Sequence, residues 1–577
     1  MNDHGYRPPE ARIGEQVCSA GRPRPCREPT TLGWEGWVRA NAAGHVRPLV
    51  RALPGPTAHP ARDAWHEDQF ARLQERLAAM TTARRGARRR SVVMLPSRSV
   101  DRWREPPAET RSYEERLLSF LFDLHDPSLE LTYITSLPVG RGTIDYYISL
   151  LPRRLRLSAR RRLRLVSLGD GGPRPLSEKL LERPHVLEQI RRTLGDSKVS
   201  YLMPYNSTTL ERDIALALDI PLFGADPDQA WLGTKSGSRA LFAGAGVPHP
   251  LGVEQIRAIH DAVDAICVLR AAKPELAALI IKLDQAVSGE GNATVDLAGL
   301  PVPGARSERE LIEQRLERLV PAVDGVSPAA YLRKLAAQGG VVEERITGRE
   351  LRSPSVQLEI TPAGAVTLLS THDQILHGRS GQQFAGCRFP ADQGYAPVIS
   401  GLAQRVGERL ADMGVIGRLA IDFLVTRGHN DRWRPLALEV NLRMGGTTHP
   451  YQTLARLIGG RYDAQTASFA TRLGQPRHYV ATDHLEIQKS QALDQAGLLA
   501  RATREGLRFD HNGGRGVVFH MLSSVEPLAT AGVMAIADDP QTADDLYDRV
   551  HKVLARDRKR ARPHRPAPVR PALGTQA

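Results

Sequence analysis

The chain has 577 residues, enough for three or four domains, and its charged and apolar fractions are ordinary for a globular protein. It has no apolar run of the roughly 18 residues that a membrane span needs, no secretory signal, and four cysteines without metal-ligand spacing, so we expect a cytoplasmic protein. The net charge of +14 belongs to the ends: residues 1–92 hold 16 Arg and 9 acids, residues 551–577 hold 8 basic residues and one acid, and the remainder is neutral. A neutral body that is poor in aromatic residues argues against a nucleic-acid-binding protein.

The first part of the chain divides into two segments of different composition. Residues 1–90 are rich in Arg, Pro, Gly and Ala, so we expect a disordered extension with one short helix around Ala64–Met80. In residues 91–225, strand-like runs alternate with helical patterns such as Ser112–Leu124. This alternation predicts a parallel sheet with helices on its faces.

Residues 226–475 form the longest coherent block. Their patterns predict strands at Val247–His249, Leu279–Leu283, Val341–Ile346, Ser355–Ile360 and Ala365–Thr371, and helices at Ser307–Leu319, Ala396–Met413 and Pro450–Ile458. Residues 476–554 predict a smaller α/β unit that ends in a helix at Thr542–Leu554. The Pro- and Arg-rich residues 555–577 predict a disordered basic tail.

One stretch of the long block, from Gly417 to Pro450, reads GRLAIDFLVTRGHNDRWRPLALEVNLRMGGTTHP and predicts two antiparallel strands joined by a polar turn. Each strand carries an acid within its apolar run, Asp422 on the first and Glu439 on the second. Asn441 lies two positions after Glu439 and therefore on the same face. Two carboxylates and an amide oxygen form an all-oxygen site that suits Mg²⁺ carrying nucleotide phosphates. The alternative is a strand pair whose charged residues face solvent.

Residues upstream of this stretch supply groups that suit phosphate binding. Lys282 ends the apolar run ALII and precedes the glycine-bearing segment Ser288–Asn292, whose glycines let backbone N–H groups approach phosphate oxygens. Lys235 lies 47 residues earlier, in GTKSGSRALFAGAGVP. Glu343 lies in a strand-like run, and Glu350 follows seven positions later. Each feature also has an ordinary interpretation, as a surface lysine, a turn or an exposed strand end.

The order of these features is more informative than any one of them. The chain offers a lysine, a lysine with a glycine loop, a glutamate hinge, an aspartate and then Glu-x-Asn-x-Arg in the segment ALEVNLR. This order resembles the ATP-grasp superfamily over residues 226–475, and residues 91–225 resemble the pre-ATP-grasp domain that usually precedes that fold. The segments GTKSGSRALFAGAGVPHP and LEVNLRMGGTTHP, with the small C-terminal unit, are similar to pheganomycin-type peptide ligases.

The resemblance implies an α/β protein with several parts. These are a Rossmann-like parallel-sheet domain, a two-lobed ATP-grasp domain that is α+β within its lobes, a small C-terminal α/β unit of the peptide-ligase type and disordered basic ends.

The resemblance also implies how ATP would bind. Its phosphates would contact two lysines and the glycine segment, namely Lys235, Lys282, Ser288, Gly289, Glu290 and Gly291. Its adenine and ribose would contact a strand and the hinge after it, namely Glu343, the main chain of Glu344 and Ile346, and Glu350.

For the metal and the reaction, the resemblance implies a set of residues on the hairpin. Asp422, Glu439 and Asn441 would hold Mg²⁺, for which Mn²⁺ is a substitute. Arg443, together with Lys282, would be catalytic and would stabilise charge on the transferring phosphoryl group and on an acyl phosphate.

Two residues near the hairpin stay open. Some superfamily members place an arginine two residues before the aspartate, where this chain has Ala420, and whether Arg418 takes over that contact is not decided by the sequence. His449 either orients or deprotonates the amine, or belongs to the start of a helix.

Together these roles predict an ATP- and Mg²⁺-dependent carboxylate–amine ligase that forms a peptide bond through an acyl phosphate and releases ADP and phosphate, in peptide natural-product biosynthesis. The expected partners are amino acids or peptides, with no membrane and no specific nucleic acid, and the oligomeric state is open. Two alternatives are a nucleic-acid-binding protein that uses its basic ends and a non-catalytic nucleotide-binding module. Binding alone would not need the complete set of metal ligands, which argues against the second.

Overall fold

The computed structural model describes residues 64–82, 89–99, 112–194, 199–286, 289–377, 381, 383–428, 431–487 and 493–554. The predicted basic tail, most of the predicted N-terminal extension and Ser288 lie outside the described residues. Among the described helices, none is long and apolar enough to cross a membrane.

The short helix predicted before residue 90 is present as α1 (Ala64–Thr82). Its buried apolar positions follow helical spacing and are Phe70, Leu73 and Leu77. The side chain of Gln74 exchanges hydrogen bonds of 2.9 and 3.0 Å with the main chain of Leu222. The packed part of the chain therefore begins before the first predicted strand.

The alternating segment forms the predicted parallel sheet. Its strands are β1 (Arg90–Leu95), β2 (Leu129–Thr135), β3 (Leu163–Ser167) and β4 (Ser200–Pro204). They lie in the order β3-β2-β1-β4, and every neighbouring pair is parallel. The helices of this segment are α2 (Arg141–Ser149), α3 (Arg156–Arg162), α4 (Leu176–Leu181), α5 (Pro184–Thr193) and α6 (Thr209–Leu218). Because β2 and β4 lie on opposite sides of β1, a crevice opens between the carboxyl ends of β1 and β4, where parallel sheets commonly bind ligands.

The helix predicted at Ser112–Leu124 differs from the expectation. From Glu115 to His125 it is a 3-10 helix, with three residues per turn. The apolar residues of this segment repeat at that spacing and are fully buried: Leu118, Leu121 and Leu124. Apolar residues three apart satisfy both helix types, so the sequence pattern did not separate them.

A second, antiparallel sheet follows, in the order β5-β9-β6-β7-β8. Its strands are β5 (Gly252–Val253), β6 (Ala278–Leu283), β7 (Asn292–Asp296), β8 (Val320–Pro321) and β9 (Gly340–Glu344). The helices of this part of the chain are α7 (Lys235–Gly244), α8 (Ile259–Ala272), α9 (Glu308–Leu316) and α10 (Pro328–Gln338). The prediction of a strand at Val247–His249 is wrong, because Pro248 and Pro250 lack the N–H groups that a ladder requires.

The third sheet is the largest of those described and has the order β10-β14-β11-β12-β13-β18-β20-β19, with β15 paired to β14. Its central strands are β10 (Glu350–Arg352), β11 (Pro354–Ile360), β12 (Val366–His377), β13 (Gln383–Phe389), β14 (Gly417–Arg427) and β15 (Trp433–Asn441). Helices α11 (Ala396–Asp412) and α12 (Thr448–Leu454) precede and follow the β14–β15 hairpin, and a small ribbon of β16 (Gly460–Asp463) and β17 (Ser468–Thr471) comes next.

The C-terminal strands extend this same sheet. They are β18 (His478–Glu486), β19 (Gly516–His520) and β20 (Thr530–Ala537), with α13 (Gln495–Arg504), α14 (Val525–Leu528) and α15 (Pro540–Leu554). Because β18 pairs with β13, the predicted smaller α/β unit shares its sheet with the block before it.

A buried carboxyl group lies just before the 3-10 helix. Glu114 is 4% exposed, and its carboxyl accepts hydrogen bonds from the Ser136 N–H (2.7 Å) and hydroxyl (2.6 Å). Burial raises the pKa of Glu114 from 4.5 to about 7, although the bonds from Ser136 oppose the shift. The fold therefore favours the protonated acid.

We predict that Glu114→Gln stabilises the protein at alkaline pH relative to the wild type. Because the folded pKa lies above the unfolded value, the favourable contribution of Glu114 is fully present below pH 4.5 and is lost as the pH rises to about 7. The loss is on the order of 3 kcal/mol, and an uncharged glutamine does not undergo it. Thermal midpoints measured from pH 5 to pH 8 should diverge in favour of the variant as the pH rises.

The matched control is Glu178→Gln on α4, where the side chain is 41% exposed. This variant should show no such divergence. A constant difference between Glu114→Gln and the wild type across the pH range would contradict the prediction.

Candidate active site

The two acids predicted from the hairpin lie directly opposite each other. Asp422 on β14 pairs with Glu439 on β15, next to a bulge in the ladder. The Asn441 side-chain amide donates to Asp422 Oδ2 at 3.0 Å and to Glu439 Oε1 at 3.2 Å. The structure therefore brings these three side chains into one cluster of hydrogen-bonding groups.

Burial and repulsion dominate the electrostatics of this cluster. Burial, followed by the neighbouring Glu439 carboxylate, raises the pKa of Asp422 to about 7. Burial would also raise the pKa of Glu439, but Lys235, followed by Arg443 and Lys282, lowers it to about 2. The cations around Glu439 therefore favour its ionised form, whereas burial and the neighbouring carboxylate favour the protonated form of Asp422.

Lys235 is the first residue of α7 and points at the hairpin. Its Nζ forms an ion pair with Glu439 Oε2 and donates to Ala286 O at 3.3 Å. The start of α7 is fixed by Asp284, whose carboxylate accepts from the Ser236 N–H at 2.8 Å and from the Ser236 hydroxyl at 3.1 Å. Asp284 directly follows β6, so this contact ties the helix of the first lysine to the strand of the second.

Lys282, on β6, forms an ion pair of its own. Its Nζ lies 2.5 Å from Glu343 Oε2, and Arg239 Nη1 lies 3.1 Å from Glu343 Oε1. Glu343 is 2% exposed, and burial would raise its pKa, but Lys282 and then Arg239 lower it overall. Each of the two lysines thus neutralises a carboxylate.

The described part of the glycine segment forms a tight turn. Gly289 has φ +74°, a left-handed conformation that favours glycine. A Cβ on Gly291 would lie 2.2 Å from the Cβ of Ala286. The carbonyl of Gly291 accepts from Leu283 N (2.9 Å) and from the Tyr331 hydroxyl (2.7 Å). The turn itself therefore requires both glycines, and Glu290 lies between them.

The residues predicted to contact adenine follow β9. The Glu344 N–H donates to Leu251 O at 2.8 Å, so its main-chain donor is already used. The Glu344 carboxylate accepts from Leu251 N (2.9 Å) and from Lys273 Nζ (2.7 Å). Ile346 follows the strand and is half-buried.

Glu350 lies apart from the acid cluster. It is on β10, where it pairs with Arg427 at the turn end of β14. Its carboxylate contacts Arg352 at 2.6 Å and Arg427 at 3.5 Å. Five positions of strand separate Arg427 from Asp422, which is roughly 17 Å.

Arg443 directly follows the hairpin and reaches the parallel sheet. Its main chain forms a β-bridge with Asn206, and the next residue, Met444, donates from its N–H to Tyr205 O at 3.0 Å. Asn206 and Tyr205 directly follow β4, so Arg443 lies at the β1–β4 crevice. Its guanidinium forms no ion pair with a described residue.

The two residues that the sequence left open have defined partners. Arg418 is half-buried and contacts Glu359 Oε2 (2.9 Å) and Gln452 Oε1 (3.1 Å). His449 is buried beside Asp483 and His520. Both belong to packed polar networks of the fold.

Sequence reasoning missed three residues of the site. Gln374 Nε2 donates to Asp422 Oδ1 at 2.9 Å. Asp284 accepts from Ser236 at the start of the Lys235 helix, and Arg239 contacts Glu343, the partner of Lys282. Gln374 lies on β12, and no local pattern connects that strand to the hairpin. Asp284 lies only two residues after Lys282, so a buried acid directly after an apolar strand was the available signal.

The residues at the hairpin fit a hard divalent cation. Asp422 and Glu439 supply carboxylate oxygens and Asn441 an amide oxygen, which are the ligands that Mg²⁺ prefers. The raised pKa of Asp422, caused by burial and then by Glu439, indicates negative charge that the present neighbours do not fully neutralise.

Comparison with known proteins identifies the family of the chain. A family model described as "IQCH-like, ATP-grasp" matches residues 229–319 and 326–465, and one described as "PGM1 C-terminal domain" matches residues 497–550. The chain is 30% identical over 470 residues to an L-propargylglycine–L-glutamate ligase of Streptantibioticus cattleyicolor, which covers 79% of this chain and 92% of the relative. It is 25% identical over 425 residues to IQ motif-containing protein H of Danio rerio, which covers 66% of this chain and 40% of the relative.

Among solved structures, a biotin carboxylase complex from Campylobacter jejuni matches 81% of this chain and 91% of its own, with 13% identity and a TM-score of 0.48. The identity and coverage of the Streptantibioticus ligase, together with the matching family model, confirm the predicted resemblance to ligases of the pheganomycin type. The chain belongs to the ATP-grasp family and is an ATP- and Mg²⁺-dependent ligase that joins a carboxylate to an amine.

Proposed function

We propose that this ligase activates a carboxylate as an acyl phosphate and joins it to the amine of an amino acid or peptide, in the biosynthesis of a peptide natural product. The observation that carries the proposal is the arrangement of charges around the hairpin. Lys235 pairs with Glu439 and Lys282 with Glu343, and both lysines lower the pKa of Glu439. Lysines so close to a potential metal ligand are suited to a metal-bound polyphosphate.

In this proposal the two lysines change partners when nucleotide binds. Phosphate oxygens of ATP take the place of carboxylate oxygens at Lys235 and Lys282, and the main chain around Gly289 and Gly291 adds N–H donors. Asp422, Glu439 and Asn441 would hold Mg²⁺, which when bound supplies positive charge next to the phosphate oxygens. Glu343 and the segment from Glu344 to Glu350 would border the adenosine.

The reaction then proceeds in two steps. A carboxylate oxygen of the donor attacks the γ-phosphorus of ATP, and the bond from that phosphorus to the bridging oxygen of ADP breaks. The amine attacks the acyl carbon, the carbon–oxygen bond to phosphate breaks, and the amine loses one proton. Arg443 forms no ion pair with a described residue, so its guanidinium would be available to stabilise the negative charge that develops on the transferring phosphoryl group.

The amino-acid nature of the substrates is supported by the Streptantibioticus relative, whose name states that it joins L-propargylglycine to L-glutamate. The position of Arg443 bears on where the substrates would lie. Because its main chain is bridged to Asn206, the reacting end of the proposed site would be near the β1–β4 crevice, and a substrate would lie between the parallel sheet and the hairpin. The crevice is a common ligand position in parallel sheets.

The proposal is tested by following oxygen from the donor carboxylate. With the carboxylate labelled by ¹⁸O, the acyl-phosphate route transfers one labelled oxygen to each phosphate released, and mass spectrometry of the phosphate measures it. Unlabelled phosphate, formed at the same rate as the amide, would exclude the acyl phosphate. A screen of amino acids as donor and acceptor, read as ADP release that requires both, identifies the substrates for this experiment.

We predict that Glu439→Gln lowers kcat for ADP release by at least about 100-fold. The change removes the carboxylate that contacts Lys235 and lies opposite Asp422, while it keeps the side-chain size. The control is Glu408→Gln on α11. The Glu408 side chain accepts a hydrogen bond from Gln404 on the same helix, and this variant should keep wild-type activity. Wild-type ADP release by Glu439→Gln would show that the metal assignment is wrong.

We predict that Arg443→Ala lowers kcat by about 10²- to 10³-fold and changes the KM for ATP little. The reason is that this guanidinium would act on the charge of the transition state, whereas the lysines bind the ground-state phosphates. Arg443→Lys should recover part of the rate, and Arg405→Ala on α11 is the control with an unchanged rate. A rise in the KM for ATP at constant kcat would instead assign Arg443 to nucleotide binding.

A further inference from the structure

A second group of potential metal ligands shares no residue with the hairpin acids. His449 is in the first turn of α12, Asp483 is in β18 and His520 is the last residue of β19. The His449 and His520 Nε2 atoms lie 3.0 Å from each other, and 3.0 and 2.8 Å from the same Asp483 Oδ1. The three residues are 2–5% exposed.

Two local irregularities of the sheet build this cluster. The pairing of β18 with β20 shifts between Thr482 and Leu485, so Asp483 and His484 form a bulge opposite Gly532. A bulge re-aims a side chain, and such features are common beside functional sites. The other neighbour of β20 is β19, and His520 is likewise opposite Gly532. Gly532 on β20 therefore lies opposite both the bulge that contains Asp483 and His520.

Gly532 provides the space for the histidine ring. A Cβ at this position would lie 2.0 Å from Cδ2 and 2.1 Å from Nε2 of His520. Any other residue would displace the imidazole from Asp483. Gly532 does not have a positive φ, so its backbone conformation is compatible with alanine. The glycine is therefore needed only because a side chain would occupy the space of the His520 ring.

Protons do not satisfy the three contacts together. The three atoms form a nearly equilateral triangle, and a neutral imidazole carries one N–H, which points at one corner at a time. A proton on His449 Nε2 cannot point at both His520 Nε2 and Asp483 Oδ1, and a lone pair there would face the carboxylate oxygen. A central cation removes this conflict, because it accepts all three lone pairs.

The second oxygen of the aspartate is already held. Arg116, from the 3-10 helix, forms an ion pair with Asp483 Oδ2, and both residues are buried. A hydrogen bond of this kind to the free oxygen of a ligating carboxylate is the usual support of a metal ligand.

We propose that His449, Asp483 and His520 form a binding site for one divalent transition-metal ion of the Zn²⁺ type. The carboxylate oxygen suits either metal, but two imidazole nitrogens favour Zn²⁺ over Mg²⁺, so this site differs in chemistry from the hairpin acids. Ligand atoms on a tetrahedral Zn²⁺ lie roughly 3.3 Å apart, so the three atoms need to separate by less than about half an ångström to receive the ion. The ion would join α12 to strands β18 and β19, and its binding can be measured without the proposed reaction.

The first measurement uses the full-length wild type without ATP. The protein is incubated with Zn²⁺, passed through a column in the presence of a weak chelator and analysed by inductively coupled plasma mass spectrometry. We expect about one retained zinc per chain, and with Co²⁺ in place of Zn²⁺ the intense visible absorption of a four-coordinate ion. Wild-type protein that retains no zinc and gives no such spectrum overturns the proposal, whatever the variants do.

The variants then locate the ion. Gly532→Ala keeps every ligand but moves the His520 ring, and Asp483→Asn removes one anionic ligand; each should lower zinc affinity by at least 10- to 100-fold. His372→Gln removes a buried imidazole that contacts Tyr479 at 2.7 Å and should retain zinc, as should Glu439→Gln at the hairpin. Circular dichroism checks the fold of each variant. Zinc retained by Gly532→Ala and Asp483→Asn, or lost in Glu439→Gln alone, would place the ion elsewhere and contradict the assignment.

Discussion

Asp422 and Glu439 face each other across adjacent strands, and two carboxylates in such a position repel unless cations surround them. Two like charges about 4 Å apart repel by about 4 kcal/mol at an effective dielectric constant of about 20, which is a large fraction of the stability of a domain. The fold meets this constraint in two ways, since Lys235 pairs with Glu439 and the raised pKa of Asp422 keeps a proton available. The position of Lys235 in turn depends on α7, which the Ser238 hydroxyl ties to the hairpin by accepting from Val440 N at 2.9 Å.

The second carboxylate of the site obeys the same rule. Glu343 is almost fully buried and is held by Lys282 and Arg239, which come from a different strand and from α7. Helix α7 thus carries one cation for each carboxylate, because Lys235 and Arg239 are one helical turn apart. A ligand that brings both anionic oxygens and a divalent cation would exchange partners with these pairs and leave no charge alone, so the ion pairs are compatible with the proposed nucleotide site.

The sequence predicted those parts of the fold and site that depend on local spacing. Asp422, Glu439 and Asn441 could be placed together because strand alternation and a short turn bring them to one face. Gln374 and the partnership of Asp284 with α7 could not, since each depends on which distant elements pair. The same limit applies to the C-terminal strands. Periodicity predicts that they are strands, but it does not predict that β18 pairs with β13. It also explains the cluster of His449, Asp483 and His520, since a bulge and a glycine in a neighbouring strand leave no signal at the ligands themselves.

Arg443 connects the two charged clusters through a short piece of chain. On one side its main chain is bridged to Asn206, and Met444 is bonded to Tyr205, so the parallel sheet fixes this end. Six residues later His449 is fixed by the C-terminal strands through Asp483 and His520. A segment held at both ends by different sheets loses little further conformational entropy when its arginine binds a charged group. The parallel sheet and the C-terminal strands therefore act on the proposed chemistry at the same point, by limiting where the guanidinium of Arg443 lies.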